Sequence, residues 1–359
     1  MLYLDWAAAA LPDPEVLEYA RTLGPECFAN QESGHALGFE LRRRIAEAED
    51  SLSRIFWGKP GGRAVWGSCC TELFQLVAAS PLVRGRRVAS SVLEHPALSA
   101  ALGREAKELV TFRSDARGQL VADPVEKASL AAFHQVQSEL GAVQELPRLF
   151  AACPGAVRFV DAAQGAGKLR FPECDLAAVS GAKLGVPGGG AALLLNPDWK
   201  GAAEFAAFAS SYRKKEHRLS RVTPAVIILL AFAAQRREAR REESFRETER
   251  FNLRLRERLA GTKLVPTLPA ELASPYILHL TAKGMQGAVL VRMLSELKIM
   301  ASSGSACAAE SPDPSPALLA LGYKLNDAYS GLRLSFGGAP DPDVAENLPA
   351  ALEKVLQNY

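Results

Sequence analysis

Lys183, Asp161, His95, Arg333 and Cys307 are spread along a 359-residue chain, yet each stands where its side chain could do chemistry. Lys183 lies in SGAKLGVPGGG (180–190), between an apolar run and a second one that follows. Glycines there let backbone and ligand approach closely. A lysine held between two core strands and partly desolvated could form a Schiff base with a carbonyl, whereas most loop lysines are only solvated charges. The glycine cluster alone makes no nucleotide fingerprint, because no suitable helix follows it. Asp161 ends the run AVRFVD (156–161), and Gln164 follows one helical turn on. A carboxylate there caps a helix or neutralises a cationic cofactor nitrogen, with Gln164 in reach of the same ligand. In GSCCTE (67–72), backbone N–H groups with the Ser68 and Thr71 hydroxyls make a ready anion site at a helix start. His95, in LEHPAL, is a cap or surface residue if taken alone, but it falls on the same sheet edge. Arg333, inside the apolar GLRLSFG, must find a structural ion pair or face a cleft where its planar fork grips a carboxylate. Cys307, in ASSGSACAAESPDPSP (301–316), has small residues around it and prolines that forbid a continuing helix. It is an incidental small residue or a nucleophile on a movable arm.

These positions make sense if the elements carrying them share one sheet. RAVWG (63–67), RRVAS (86–90), ELVTF near 110, LAAFHQV (130–136), AVRFVD, LAAVSG (176–181) and AALLL (191–195) read as strands. Several are continuous apolar runs, as in strands covered on both faces, and helical stretches separate many of them. That pattern predicts an α/β fold with a mostly parallel sheet flanked by helices, with ligands beyond the carboxyl ends of the strands. Residues 225 to about 260 read as one long helix, apolar first and then charged with nearly balanced signs, which suits a solvated face better than a nucleic-acid surface. A smaller α+β part follows: strand YILHLT (276–281), a helix over 286–297, the Cys307 loop, a helix near 315–321, strand GLRLSF (331–336) and a last helix.

Composition excludes some function classes. A net charge of +2 gives no reason to expect nucleic acid or an anionic membrane. VTPAVIILLAFAA (222–234), the longest strongly apolar stretch, is too short to span a bilayer. MLYLDWAAAALPDPE has no basic n-region, so it does not read as a signal peptide. Cysteines 27, 69, 70, 153, 174 and 307 form no metal-type CxxC pairs, and with no export signal reduced thiols and a cytoplasmic setting are expected, without a metal.

In order, these segments resemble the group I cysteine desulfurases, in the class V aminotransferase branch of fold-type I pyridoxal phosphate enzymes. YLDWAAAA (3–10) is similar to Y-L-D-x-A-A-T-T, and ANQESGHALG (29–38) to N-P-S-S-x-H-x-x-G. GSCCTE is similar to S-G-A-T-E, LEHPAL to T-E-H and QSELGAVQ to N-N-E-x-G-x-x-Q. VDAAQGAGKL resembles V-D-A-x-Q-x-x-G-K, SGAK resembles S-G-H-K, and SSGSAC matches the catalytic loop without change. The resemblance implies pyridoxal 5′-phosphate held by Lys183, with Asp161 at the ring nitrogen, Gln164 at the phenolic oxygen and His95 stacked on the ring. It implies a phosphate held by Thr71, Ser180 and the backbone at Cys70, with Thr223 reaching it from the other subunit of a homodimer. Arg333, with Ser138 and Asn30, would bind the substrate L-cysteine, and Cys307 would take its sulfur as a persulfide, releasing L-alanine. A sulfur acceptor or iron–sulfur scaffold protein is the implied partner. The implied organisation is an N-terminal segment 1–15 associated with the small domain, a large domain 16–245 and a small domain 246–359. The chain departs from the pattern at Ala182 (histidine in the family), at Gln137-Ser138 (two asparagines) and at Cys69 (glycine), and the arginine of R-S-G-T is out of register, with Arg218 or Arg221 as substitutes. Alternative readings are a class V aminotransferase or lyase acting on another amino acid, and a cofactor-free sulfur-relay or scaffold protein.

Overall fold

Strands with no polar alternation need cover on both faces, and they form the middle of the largest sheet. A computed structural model of the protein describes residues 1–216, 219–304 and 313–357, without the side chains of Lys215 and Glu216. Its strands are β1 (Leu2–Tyr3), β2 (Arg63–Gly67), β3 (Arg87–Ser91), β4 (Glu108–Phe112), β5 (Leu130–His134) and β6 (Val157–Asp161). There follow β7 (Leu176–Ser180), β8 (Ala191–Leu195), β9 (Leu264–Pro266), β10 (Ile277–Ala282), β11 (Ile299–Met300) and β12 (Gly331–Ser335). The seven-stranded sheet runs β2-β8-β7-β6-β5-β3-β4. Its pairings from β4 across to β7 are parallel, and β8 is antiparallel to both of its neighbours. The expected α/β class and mostly parallel sheet are as read from the sequence.

Helices close both faces. Leu52 and Phe56 of helix Ala36–Trp57 meet Ile227 and Leu230 of helix Pro224–Ala239 in the core on one face. Phe74, Leu98 and Phe205, from helices Cys70–Ala79, Pro96–Glu105 and Ala202–Glu216, fill the other. β5 and β7 are buried at every position, so the sheet centre is dry. A three-stranded antiparallel sheet, β12-β10-β9, has a separate core built from Leu255, Leu278, Leu332, Phe336 and Leu352. β1 pairs in parallel with β11, and Leu4 belongs to this second core, so the chain start is tied to the small sheet.

The single helix expected over 225–260 is two helices, Pro224–Ala239 and Arg241–Leu259, broken where Arg240 leaves helical geometry at φ −108° and ψ 4°. The first half is apolar nearly all round and packs into the large core. Phe251, Leu255 and Leu259 of the second half pack on the small sheet instead, while Phe245 stays half-buried outside that core. The break lets the two successive helices serve two cores that a straight rod would not both reach. Glu15 accepts from Arg236 and from Arg240 (2.9 Å) around the break. The charged half is laced with ion pairs such as Arg258–Glu346 at 2.5 Å.

One close approach fixes the loop after β7. A Cβ on Gly181 would lie 2.1 Å from the Gly189 carbonyl oxygen and 2.9 Å from that of Gly190. No rotamer relieves a clash with backbone, so Gly181→Ala must displace the turn that carries Lys183. We expect it to cost about 1–3 kcal/mol, read as a lower urea midpoint; an unchanged midpoint would contradict this packing.

Candidate active site

The site grows from the carboxyl ends of β3, β5, β6 and β7, where parallel order brings residues distant in sequence side by side. Asp161 ends β6 and is 8% exposed. Its Oδ1 accepts the Ala163 amide at 3.0 Å, which holds the carboxyl over the sheet edge. Burial pushes its pKa up to about 6; Glu94 adds to the rise, while the Ala163 amide, His134 and Lys183 oppose it. Lys183 rides a one-turn helix, Gly181–Leu184, that starts directly after β7 and stops at Gly185 with φ +81°. The Lys183 Nζ donates to the Ala8 carbonyl, and the Ala10 amide donates to Ala182 O at 2.8 Å, so segment 7–10 lies over the lysine. Gln164 donates to Ala7 O at 2.8 Å while its Oε1 stays buried without a partner.

His95 does both things weighed for it. It caps helix Pro96–Glu105, its Nδ1 accepting from the Ala97 amide at 3.2 Å, and it stands close enough to Lys183 to feel its charge. Burial first, then Lys183, lowers its pKa and holds the ring neutral. Its ring centroid lies 6.2 Å from that of Phe74.

The anion site at GSCCTE differs from the sequence expectation. Ser68 is engaged within its own turn, its Oγ and amide donating to the Glu72 carboxylate at 2.9 and 2.7 Å. The carboxylate four residues on takes the place an anion would have at Ser68. Thr71 and Cys70 open helix Cys70–Ala79 above Ser180, and the Cys70 thiol bonds with the Ser180 hydroxyl. Burial pushes the Cys70 thiol well up, so it is neutral. Thr223 is exposed at the start of helix Pro224–Ala239, with no side-chain cap bond. Asn30 is exposed and its Oδ1 accepts from the Glu32 amide, while Glu32 pairs with Arg221 at 2.8 Å. Arg218 and Cys307 lie outside the described residues.

Arg333 is 1% exposed and has found the ion pair that its burial demands. It donates to Asp5 Oδ1 and to Ser138 O, both at 2.8 Å, leaving Nε without a partner. The neighbouring Gln137 is a turn former, its Oε1 accepting from the amides of Glu139 (2.7 Å) and Leu140 (2.6 Å). Glu139 accepts the Ser315 hydroxyl, and a Cβ on Gly304 would lie 3.6 Å from its carboxyl. Residues on both sides of 305–312 thus meet one buried carboxyl of the large sheet's loops.

Sequence reasoning passed over Lys168, Glu94, His134 and Glu139, although each sits inside a segment it quoted. Lys168 is 4% exposed, with its Nζ 5.8 Å from the Tyr276 ring centre. Burial lowers its pKa to about 7, helped by Arg237, Lys183 and Arg333. Its signal was a charged residue in an otherwise apolar stretch.

Among the described residues, no cluster of three or more His, Cys, Asp or Glu side chains could hold a metal ion, and no helix is long and apolar enough to cross a membrane. The residues do fit an aromatic, carbonyl-bearing cofactor with a cationic nitrogen. Asp161 is a buried carboxyl whose raised pKa a nearby cation would relieve. The Gln164 Oε1 is an orphaned buried polar atom, and Lys183 is an amine close enough to Asp161 to act on its charge.

Residues 2–346 match the family "Aminotransferase class-V". A protein named cysteine desulfurase from Gluconacetobacter diazotrophicus is 27% identical over 377 residues, covering 99% of this chain and 91% of its own. One named cysteine desulfurase IscS from Methylococcus capsulatus is 28% identical over 375 residues, covering 97% and 91%. A solved NifS-like protein superposes over the whole of both chains with a TM-score of 0.83 at 19% identity, which establishes the fold.

Folding raises the Asp161 pKa from 3.8 to about 6, so the folded chain holds that proton more tightly than the unfolded one. The associated stability is therefore fully present below about pH 4 and lost as pH rises through about 6, roughly 3 kcal/mol in all. Without cofactor, Asp161→Asn is expected to gain on the wild type in urea midpoint across that window; parallel pH profiles would overturn the assignment.

Proposed function

The chain belongs to the class V aminotransferase family, and we propose that it works there as a cysteine desulfurase, converting L-cysteine to L-alanine and leaving a persulfide on Cys307. Pyridoxal 5′-phosphate is its cofactor. The observation that carries the reading is the convergence of Lys183, Asp161, Gln164 and His95 on one sheet edge, in a chain whose SSGSAC segment supplies a thiol.

The cofactor, when bound, supplies a carbonyl for amine exchange and a cationic ring that draws electrons from the substrate's Cα. Lys183 would hold it and would then move the proton at the substrate's Cα. Asp161 would keep the ring nitrogen protonated, the second amide hydrogen of Gln164 would donate to the ring oxygen, and neutral His95 would border the ring. Cys70 N–H, Thr71 and Ser180 would hold the phosphate, with Thr223 added from a second subunit. A homodimer is supported by the exposure of Thr223 at a bare helix start. Arg333 receives the substrate carboxylate in exchange for, or shared with, Asp5, and Ser138 and Asn30 border the substrate.

The Cys307 thiolate attacks the sulfur of bound cysteine. An S–S bond forms and the substrate's Cβ–S bond breaks. The sulfur is oxidised as the carbon is reduced, and the carbon takes up a proton to become the methyl group of alanine. The persulfide then passes to an acceptor thiol. The same reading groups residues 16–245 around the cofactor and 246–359 with segment 1–15 in a smaller domain, supported by the separate cores.

The test is the reconstituted protein with L-cysteine. A visible absorbance band fixed by borohydride at Lys183, with alanine released and no amino transfer to a keto acid, is expected. Cys307→Ala should keep the band and lose alanine formation by about a hundredfold or more. Full sulfur transfer by that variant would refute the role of Cys307, and amino transfer in place of alanine release would favour an aminotransferase.

A further inference from the structure

Two titratable groups beside Asp161 have no task in this scheme. Glu94 comes from the turn after β3, and His134 is the last residue of β5, the strand next to β6. His134 and Asp161 are register partners in the parallel pairing, so their side chains leave the sheet on the same face. The Glu94 Oε1 accepts from Ser91 Oγ at 2.7 Å and from the His134 amide at 3.1 Å, and it meets His134 Nδ1 at 2.8 Å. The two side chains are 0% and 3% exposed.

Their far edges are bare: Glu94 Oε2 and His134 Nε2 are both buried without a partner. A pair kept only for packing would be better replaced by apolar side chains, since unsatisfied buried polar atoms cost stability. A carboxylate can only accept, so the contact places the hydrogen on Nδ1 and leaves Nε2 as the edge that can take another proton. Glu94 and Asp161 are two carboxyls in one dry region, and Glu94 resists the ionisation of Asp161. The other charged or titratable groups facing them are Lys183 after β7, His95 at the start of its helix, and Cys70 from the helix after β2.

We propose that Glu94 and His134 form a proton-exchanging dyad that sets the charge of Asp161. One proton held at His134 Nε2 offsets Glu94 and lets Asp161 release its own, so that its carboxylate can meet the cofactor's cationic nitrogen. Only a proton is relocated, and nothing is oxidised. Both are positioning residues that act through Asp161, and the proposal rests on the cofactor assignment above.

The experiment is a pH titration of the visible band and of cofactor retention in the reconstituted full chain. Glu94→Gln removes the opposing charge and should move the low-pH limit of retention down by about one unit. His134→Asn keeps a donor toward Glu94 but cannot take the second proton, so the limit should move up by about one unit, with roughly tenfold weaker cofactor affinity near that limit. Opposite shifts are the signature. A limit that ignores both substitutions, or moves the same way in both, would overturn the dyad alone, whereas no band in the wild type would overturn the cofactor assignment and the dyad with it.

If His134→Asn does not fold, imidazole nitrogen spectra of the cofactor-free chain decide the matter. His134 is one of five histidines. It should carry its hydrogen on Nδ1, and its bare Nε2 signal should shift in Asp161→Asn. A hydrogen on Nε2, or an Nε2 signal indifferent to Asp161→Asn, would overturn the proposal.

Discussion

A carboxyl that ends an inner strand of a dry sheet must be met by positive charge or keep its proton, and that constraint at Asp161 organises the site. β5 and β7 flank β6 and are buried throughout, so no solvent reaches the group from the sheet. The backbone amide of Ala163 offsets only part of the cost. Lys183 arrives from the next strand, His134 from the strand on the other side, and neutral His95 fills the space beyond. Parallel order is what makes this possible, because it lines up four strand ends whose residues are far apart in sequence. A cationic ring nitrogen is the partner such a group would favour most.

The first ten residues extend the constraint to the small sheet. The Gln164 amide and Lys183 Nζ donate to the carbonyls of Ala7 and Ala8, so this strap closes over the strand ends. The same strap binds β12: the Ser335 amide donates to Leu4 O at 2.8 Å, and the Ala7 amide donates to Ser335 Oγ at 2.9 Å. Arg333, two residues earlier on β12, joins Asp5 of the strap to Ser138 of the large sheet's loops. A change at any one of these contacts is felt by the others, since each holds part of a shared, mostly buried network. Glu139 adds a second junction, where Gly304 and Ser315 meet the large sheet's loops on either side of the segment bearing Cys307.

Much of this was legible in the sequence because it depends on local rules. Continuous apolar runs announce covered strands, and the residues just past them point to Asp161, Lys183 and His95, which the fold brings to one sheet edge. Partner choice was not legible. That Glu72 would occupy Ser68, or that Asp5 would claim Arg333, depends on which loops meet in space. The helix break at Arg240 was hidden because both halves have helical periodicity, and only the presence of two cores shows why one rod cannot serve. His134 ends β5 just as Asp161 ends β6, and the same rule would have picked it out. It was passed over because it sat inside the apolar run LAAFHQV rather than in a polar loop after it.

The chemistry assigned to the chain needs a thiol able to take sulfur, and the chain carries six cysteines. Cys27, Cys153 and Cys174 are buried, and burial pushes the Cys153 thiol up to about 11, which leaves it a poor nucleophile. Cys70 is neutral beside Ser180, and Cys69 is exposed next to it. Where the sulfur goes is therefore the sharpest question. After incubation of the reconstituted protein with L-cysteine, mass spectrometry of peptides trapped without reductant would locate it. The account predicts one added sulfur on Cys307, in the peptide between Lys298 and Lys324, and persulfide on Cys69 or Cys70 with none on Cys307 would contradict it.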